Sequence, residues 1–357
     1  MNMPSTATST SPDATDVTPA VGAPAVTVLM AVHNAETHLR EAIDSILGQT
    51  FTDFEFLIYN DGSTDGTAAV VCSYTDPRIV FVDNAVNRSV SPNLNEGLAR
   101  ARGRYIVRMD GDDIAYPVRI ARQVAFMDAY PEVGLCGTAV RYIGASHAIV
   151  RMPETDEAIQ HSLWLYNAFY QPSVIIRMKT LRDHNLWYNT DFEFAEDYKL
   201  WSDMSSVTKL RNLPEVLLDY RIHAHQISRR KSKVQQQVSA QIRKEQLQRL
   251  HIPLKPTQEH AFQLLNIDDD WGDFEPQDYA EVAALLEDLG QQAKRISPSP
   301  AAMYQVLGQQ WGRVLNAAKR YSPALIPYVL QFTLSKHLPP STVVKLLAKC
   351  LVYWKVR

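Results

Sequence analysis

The chain has 357 residues, of which 46% are hydrophobic and 21% charged, and its formal net charge is only -3. That is enough apolar content for one large core, or a large domain with a smaller one, and it excludes a wholly disordered chain and a nucleic-acid binder acting through bulk charge. Three scattered cysteines, Cys72, Cys136 and Cys350, give neither a disulfide framework nor zinc-ligand spacing and fit a reducing compartment.

Residues 1–24 are mostly Ser, Thr, Ala and Pro, without a basic start and apolar run, and read as a disordered leader rather than a signal peptide. No stretch reaches the roughly 18 uninterrupted apolar residues of a spanning helix. The expected location is the cytoplasm, with peripheral contact to the inner face of the cell membrane as the further option. Val26–Val32 is nearly continuous in apolar, often β-branched residues, as in a strand buried on both faces of a parallel sheet. Leu39, Ile43, Ile46 and Leu47 recur at helical spacing. Glu55–Tyr59 reads as a second strand ending at the turn-rich Asn60–Gly66, with a short helix after it and a strand over Ile79–Val82. Pro92–Arg102 reads as a helix opened by proline and stopped before Gly103. Tyr105–Met109 is a fourth strand, running into Asp110-Gly-Asp-Asp113.

Strands alternating with helices predict right-handed βαβ units and a mainly parallel sheet. In such sheets ligands bind beyond the carboxyl ends of the strands, where Asp61 and Asp110–Asp113 both fall. Further on, Val133–Ile143 and Ser173–Arg177 read as strands and Glu196–Ser206 as a helix with Leu200, Trp201 and Met204 on one side. Trp201 is expected in the core. From Ser228 the chain reads as mostly helical, with an acidic segment at Asp268–Asp278 and a linker-like Ser297–Pro300.

Three carboxylates in four residues repel one another, and burying them at a strand end calls for a cation or hydrogen-bond donors. Oxygen ligands of this kind suit Mg2+ or Mn2+ sharing coordination with phosphates. A calcium loop counted from Asp110 fails, because its sixth and twelfth positions hold Ala115 and Ala121. A solvated acidic loop and a phosphatase-like aspartate stay open on these residues alone. Asn60–Gly66 reads equally as a plain turn or as a means of presenting Asp61 to a base or ribose. Glu196 and Asp197 read as helix N-terminal acids favouring the dipole, or as working carboxylates. His223 and His225 lack the partners of a zinc site. There is no G-x-G-x-x-G and no P-loop.

Taken in order, Ala31–Asn34, Asn60–Asp65, Asp110–Asp113, Ala195–Trp201 and Tyr220–Ser228 resemble the inverting family-2 glycosyltransferases of the GT-A fold, bacterial envelope, capsule and O-antigen types included, over roughly residues 26–228. The resemblance implies a GT-A-like α/β catalytic domain over 25–228 and a helical C-terminal region over 229–357. It implies that Asp61 contacts the base, with Val32, Asn34 and Glu36 lining the same pocket, and that Asp110 and Gly111 lie against the ribose. Asp112 would be the main ligand of Mn2+ or Mg2+, with His223 returning near it and Arg221 and Gln226 on a loop over the donor. Asp197 would be the catalytic base, oriented by Glu196, and Gln171–Ser173 would precede the acceptor side. The implied partners are a nucleotide-sugar, UDP-linked by expectation, and a glycan or lipid-linked acceptor. His33, Arg88 and Leu94 depart from the family pattern and leave the sugar open. A sugar nucleotidyltransferase would want a Gly-rich basic loop where His33–Glu36 stands, and a non-catalytic scaffold would tolerate loss of aspartates that are all present.

Beyond Asp288 there is no acidic residue and ten basic ones, so the first 288 residues carry -3 minus +10, or -13. Ser341 is the expected N-cap of a final helix in which Val343, Leu346, Leu347, Cys350, Leu351 and Trp354 alternate with Lys345, Lys349 and Lys355. This pattern fits an anionic membrane surface, or equally a helix packed on the domain with a solvated basic face.

Overall fold

The computed structural model describes residues 22–223, 232–265, 275–296, 300–316, 323–330 and 333–352. In chain order the first part runs β1 (Val26–Val32), α1 (Leu39–Leu47), β2 (Phe54–Asp61), α2 (Thr67–Cys72), β3 (Ile79–Asn84), α3 (Val90–Arg100), β4 (Tyr105–Met109), β5 (Ile114–Ala115), α4 (Arg119–Ala129), β6 (Val133–Gly144), β7 (Ile149–Val150), α5 (Asp156–Ser162), β8 (Ile175–Arg177), α6 (Met178–Asp183), α7 (Glu196–Met204) and β9 (Lys209–Ile222). β1 is apolar along its length because it lies mid-sheet, with parallel neighbours β2 and β4 on either side and helices over both faces. The sheet order is β3-β2-β1-β4-β8-β6-β9-β5, with β7 paired to β6.

β8 runs antiparallel to both β4 and β6, and β6 is parallel to β9. Two reversals cancel, so β1, β2, β4, β6 and β9 all point their carboxyl ends at one edge. The expected strand Ser173–Arg177 is shorter than read: Gln171–Ser173 forms a 3-10 turn that feeds β8. The helix expected at Pro92 begins two residues earlier, with Pro92 third in α3, where a missing N–H still costs nothing. β9 was not anticipated, because Pro214 interrupts its pattern. The register shows how the proline fits: Leu213 faces Thr138 while Val216 faces Ala139, so Pro214 and Glu215 are extruded as a bulge.

α1, α2 and α4 cover one face of the sheet, and α3, α6 and α7 cover the other, with Trp201 fully buried as expected. Beyond the sheet come α8 (Ser232–Arg249), α9 (Glu259–Leu264), α10 (Pro276–Ile296), α11 (Pro300–Asn316), α12 (Ile326–Leu330) and α13 (Pro340–Val352). Their apolar core gathers Phe262, Leu286, Leu307 and Trp311, and it also takes in Trp164 and Leu165 from the segment after α5. The helices are thereby anchored to the sheet half through shared apolar burial.

α13 packs Leu346 and Cys350 into that core, each 1% exposed. Much of the apolar stripe read as membrane-facing is spent on packing. An opposite stripe remains outside, with Val344 65% and Leu351 54% exposed and Ala348 between them. Ser341 is not the cap: the helix starts at Pro340, whose fixed φ suits the first helical position. Among the described residues no helix is long and apolar enough to cross a membrane. Residues 1–21, His225, Gln226, the 268–274 part of the acidic segment, the 297–299 part of the linker-like stretch, Trp354 and Lys355 lie outside the described residues.

Candidate active site

The ends of β1 and β2 build one wall. Asp61, the last residue of β2, is 4% exposed, and its Oδ1 accepts from the Arg88 backbone N–H at 2.8 Å. Gly62 follows with φ +63, and a Cβ there would stand 2.5 Å from the Val86 and Asn87 backbone, so only glycine fits this corner. His33 Nδ1 donates to the Asp61 carbonyl at 2.8 Å, which fixes its tautomer and leaves Nε2 to accept from Asn34 Nδ2 at 3.1 Å. Asn34, at φ 51, donates its backbone N–H to Ser63 Oγ and accepts from the Thr64 N–H, both at 2.9 Å. Glu36 Oε2 accepts from the Gly66 N–H at 2.9 Å. The two loops after β1 and β2 are thus stitched together, with Val32, Asn34, Glu36 and Asp61 on one surface.

The acidic turn follows β4 beside that wall. Gly111 lies against Val32, where a Cβ would come within 2.6 Å of Cγ1. Asp112 Oδ2 and His223 Nε2 are 2.9 Å apart, although 111 residues separate them in sequence. Arg221, one residue past Tyr220 near the end of β9, braces the turn. Its Nε donates to the Asp112 carbonyl and its backbone N–H to Asp113 Oδ1, both at 2.8 Å, while its guanidinium pairs with Glu41 of α1 at 2.5 Å. Asp113 is 1% exposed, and among the described residues its Oδ2 has no hydrogen-bond partner. Burial, with Asp112 and Asp110 beside it, pushes the Asp113 carboxyl well above its usual range. Asp112 and His223, one carboxylate and one imidazole within hydrogen-bonding distance, are ligand types that suit Mn2+ or Mg2+, while among the described residues no three His, Cys, Asp or Glu side chains gather to hold an ion.

A buried cation joins this turn to Glu196 and Asp197. Arg108 of β4 has no exposed side-chain surface; its guanidinium donates to the Leu29 and Met109 carbonyls and to Asp110 Oδ1, the last at 3.0 Å. Arg119 backs it, donating to the Arg108 carbonyl at 2.9 Å, and burial lowers its guanidinium to about 9. Glu196 and Asp197 open α7 at the same edge, close enough that Asp110 and Arg108 act on both. Burial, and for Glu196 the neighbouring Asp197, raises Asp197 to about 6 and Glu196 to about 8. Asp197 Oδ1 accepts from the Tyr198 N–H at 2.6 Å and Oδ2 from Asn167 Nδ2 at 2.8 Å.

Every site residue anticipated in the described part of the chain lies on this one edge. Sequence reasoning missed Arg108, Glu41 and Asn167. Arg108 left a signal, a single charge inside the otherwise apolar Tyr105–Met109. Glu41 and Asn167 left none, because their partners are distant in sequence.

Residues 27–194 match the family described as Glycosyl transferase family 2. An uncharacterized glycosyltransferase of Haemophilus influenzae is 33% identical over 63% of this chain and 73% of its own length. The O-antigen biosynthesis glycosyltransferase WbnJ of Escherichia coli is 30% identical over 56% of this chain and 80% of its own. The chain therefore belongs to glycosyl transferase family 2. Two solved structures share its fold. S. aureus TarS 1-349 in complex with UDP-GlcNAc has a TM-score of 0.53 at 17% identity, covering 82% of this chain and 81% of that one. The mannosyltransferase PcManGT from Pyrobaculum calidifontis, in complex with GDP-Man and Mn2+, has a TM-score of 0.52 at 21% identity, covering 93% of this chain and 90% of that one. These likenesses bear out the GT-A-like sheet with its helical C-terminal region.

Proposed function

We propose that the chain moves a sugar from a nucleotide-sugar, UDP-linked by preference, to an acceptor hydroxyl with inversion at the sugar carbon, in the synthesis of a cell-surface polysaccharide or glycolipid. The observation that carries this reading is the meeting of Asp110–Asp113, His223 and the Glu196–Asp197 pair on one sheet edge. WbnJ's part in O-antigen biosynthesis supports the polysaccharide setting.

In this reading residues 25–228 are the catalytic unit. Asp61, with Val32, Asn34 and Glu36 around it, receives the base, and Asp110 with Gly111 receives the ribose. Asp112 and His223 would hold Mn2+ or Mg2+, which when bound supplies charge stabilisation to the departing diphosphate. Arg221 keeps Asp112 and Asp113 in place through the contacts described above. Asp197 takes the proton of the acceptor hydroxyl; raised to about 6, it is more basic than an ordinary aspartate yet mostly ionised at neutral pH. Burial and the adjacent Asp197 push the Glu196 carboxyl up further than Asp197, so of this coupled pair Asp197 is the one that ionises first and serves as base. A single displacement with no covalent enzyme intermediate inverts the sugar carbon.

The outer stripe of α13, Val344, Ala348 and Leu351 beside exposed Lys345, supports peripheral contact with an anionic lipid surface on the cytoplasmic side. The central test is calorimetric titration of UDP, GDP and dTDP with Mn2+ and then with EDTA. Tight binding of UDP that weakens at least about tenfold in EDTA is expected. Failure of all three to bind a folded chain would turn the reading to a scaffold.

A further inference from the structure

A general base must be aimed as well as basic, and Asn167 stands beside Asp197. Asn167 lies in the segment between α5 and the Gln171–Ser173 turn, 30 residues before Asp197 in sequence. Its Nδ2 donates to Asp197 Oδ2 at 2.8 Å, while its own Oδ1 accepts from the Phe169 N–H at 3.2 Å. That second bond decides which end of the amide faces Asp197: a flipped side chain would set two donors together and two acceptors together.

The segment carrying Asn167 is held rigidly. Ala168 and Phe169 are buried, and the Ala168 carbonyl accepts from Asn212 Nδ2 of β9 at 3.1 Å. The Phe169 ring meets Trp201 edge to face with centroids 6.0 Å apart, and Trp201 lies on α7, the helix that opens with Glu196 and Asp197. Gly137 of β6 makes room for both anchors: a Cβ there would collide with Asn212 Oδ1 and come within 2.8 Å of Phe169 Cδ1. Donor and acceptor of the Asn167–Asp197 bond therefore sit on elements locked to each other through the core.

We infer that Asn167 is a positioning residue, which holds one oxygen of the Asp197 carboxylate so that the carboxylate presents a fixed face to the acceptor hydroxyl. An amide suits this task better than a cation. It gives one directed hydrogen bond without an added charge, so the carboxylate is oriented and loses less of its basicity than it would to a cation. The charged and titratable groups facing Asp197 are Glu196 and Tyr198 on its own helix, Arg108 of β4, Asp110 in the turn after it, and Tyr188. Asn167 is the neutral side-chain donor on Asp197 Oδ2, while the Tyr198 backbone N–H holds Oδ1. The inference rests on Asp197 being the base.

The test uses the full chain with Mn2+ and four donors, UDP-glucose, UDP-galactose, UDP-N-acetylglucosamine and GDP-mannose, with water as acceptor. Asn167→Ala and Asn167→Ser are compared with wild type. kcat for the donor best hydrolysed is expected to fall at least about tenfold with donor KM within about twofold, and the acid limb of kcat to move up by about one pH unit, the scale of one hydrogen bond to a charged group. Asn167→Asp should be worse than either, because it sets a second carboxylate against the first. A second readout needs no turnover. With aspartate carboxyl carbons labelled for NMR, the resonance missing from Asp197→Asn is titrated in each variant. An upward-shifted midpoint in Asn167→Ala supports the inference, and an unchanged midpoint with unchanged kcat overturns it. Full activity in Asp197→Asn would instead remove the base reading, which separates the two failures.

Discussion

The sheet edge and the helical C-terminal region use burial in opposite ways. At the sheet edge Arg108, Arg119, Asp113 and Glu196 are buried charges or carboxyls, and Asp113 Oδ2 and Glu196 Oε2 lack hydrogen-bond partners among the described residues. In the helical region the core is mainly Leu, Val, Trp and Phe, with Arg243 and Gln310 as buried polar exceptions. Apolar packing there stabilises the chain, whereas the sheet edge spends stability to keep charges where water would otherwise neutralise their effect. In the proposed reading, the difference separates a region that binds and reacts from one that supports it.

The largest expected effect strikes the sheet edge. Asp197→Asn should lower donor turnover by about 10³-fold, within the range for loss of a general base, and leave UDP binding unchanged. Normal turnover would remove the functional half of the contrast.

A smaller effect concerns the energetic half. For Glu196 the folded value is raised from 4.5 to about 8, so between those limits the folded chain holds a proton that the unfolded chain has released. Stability contributed by the protonated form is present at low pH and is lost as pH rises through that window. Glu196→Gln, which mimics the protonated acid, should match wild type near pH 5 and exceed it near pH 8 by about 2 kcal/mol. Thermal unfolding at the two pH values measures this; parallel curves would mean that Glu196 is not held against its ordinary ionisation.

The smallest effect belongs to the helical region. Replacing Val344 and Leu351 by serine should weaken binding to phosphatidylglycerol-containing vesicles by about tenfold, from loss of two partly exposed aliphatic side chains, with nucleotide binding intact. Vesicle binding that survives the double change would assign the outer stripe of α13 to solvent.

Much of the candidate site was legible because its parts are local. Asp61 and Asp110–Asp113 announce themselves as polar turns directly after apolar strands, and a parallel sheet brings strand ends to a common edge. Arg221 and His223 were legible only through resemblance, since nothing near them in sequence tells of Glu41 or Asp112. β9 was hidden by Pro214, which a bulge opposite Thr138 and Ala139 absorbs.

The sequence by itself determined the strand–helix alternation, the acidic turn, the carboxylates opening α7 and the basic character of the C-terminal end, because each is a property of neighbouring residues. Only the tertiary structure decided that Leu346 and Cys350 of α13 pack inward and that Asn167 meets Asp197. It also decided that Arg108 lies buried between the acidic turn and α7. Those facts depend on the reversal at β8 and on core contacts such as Phe169 with Trp201, which join residues far apart in the chain and leave no periodicity to read.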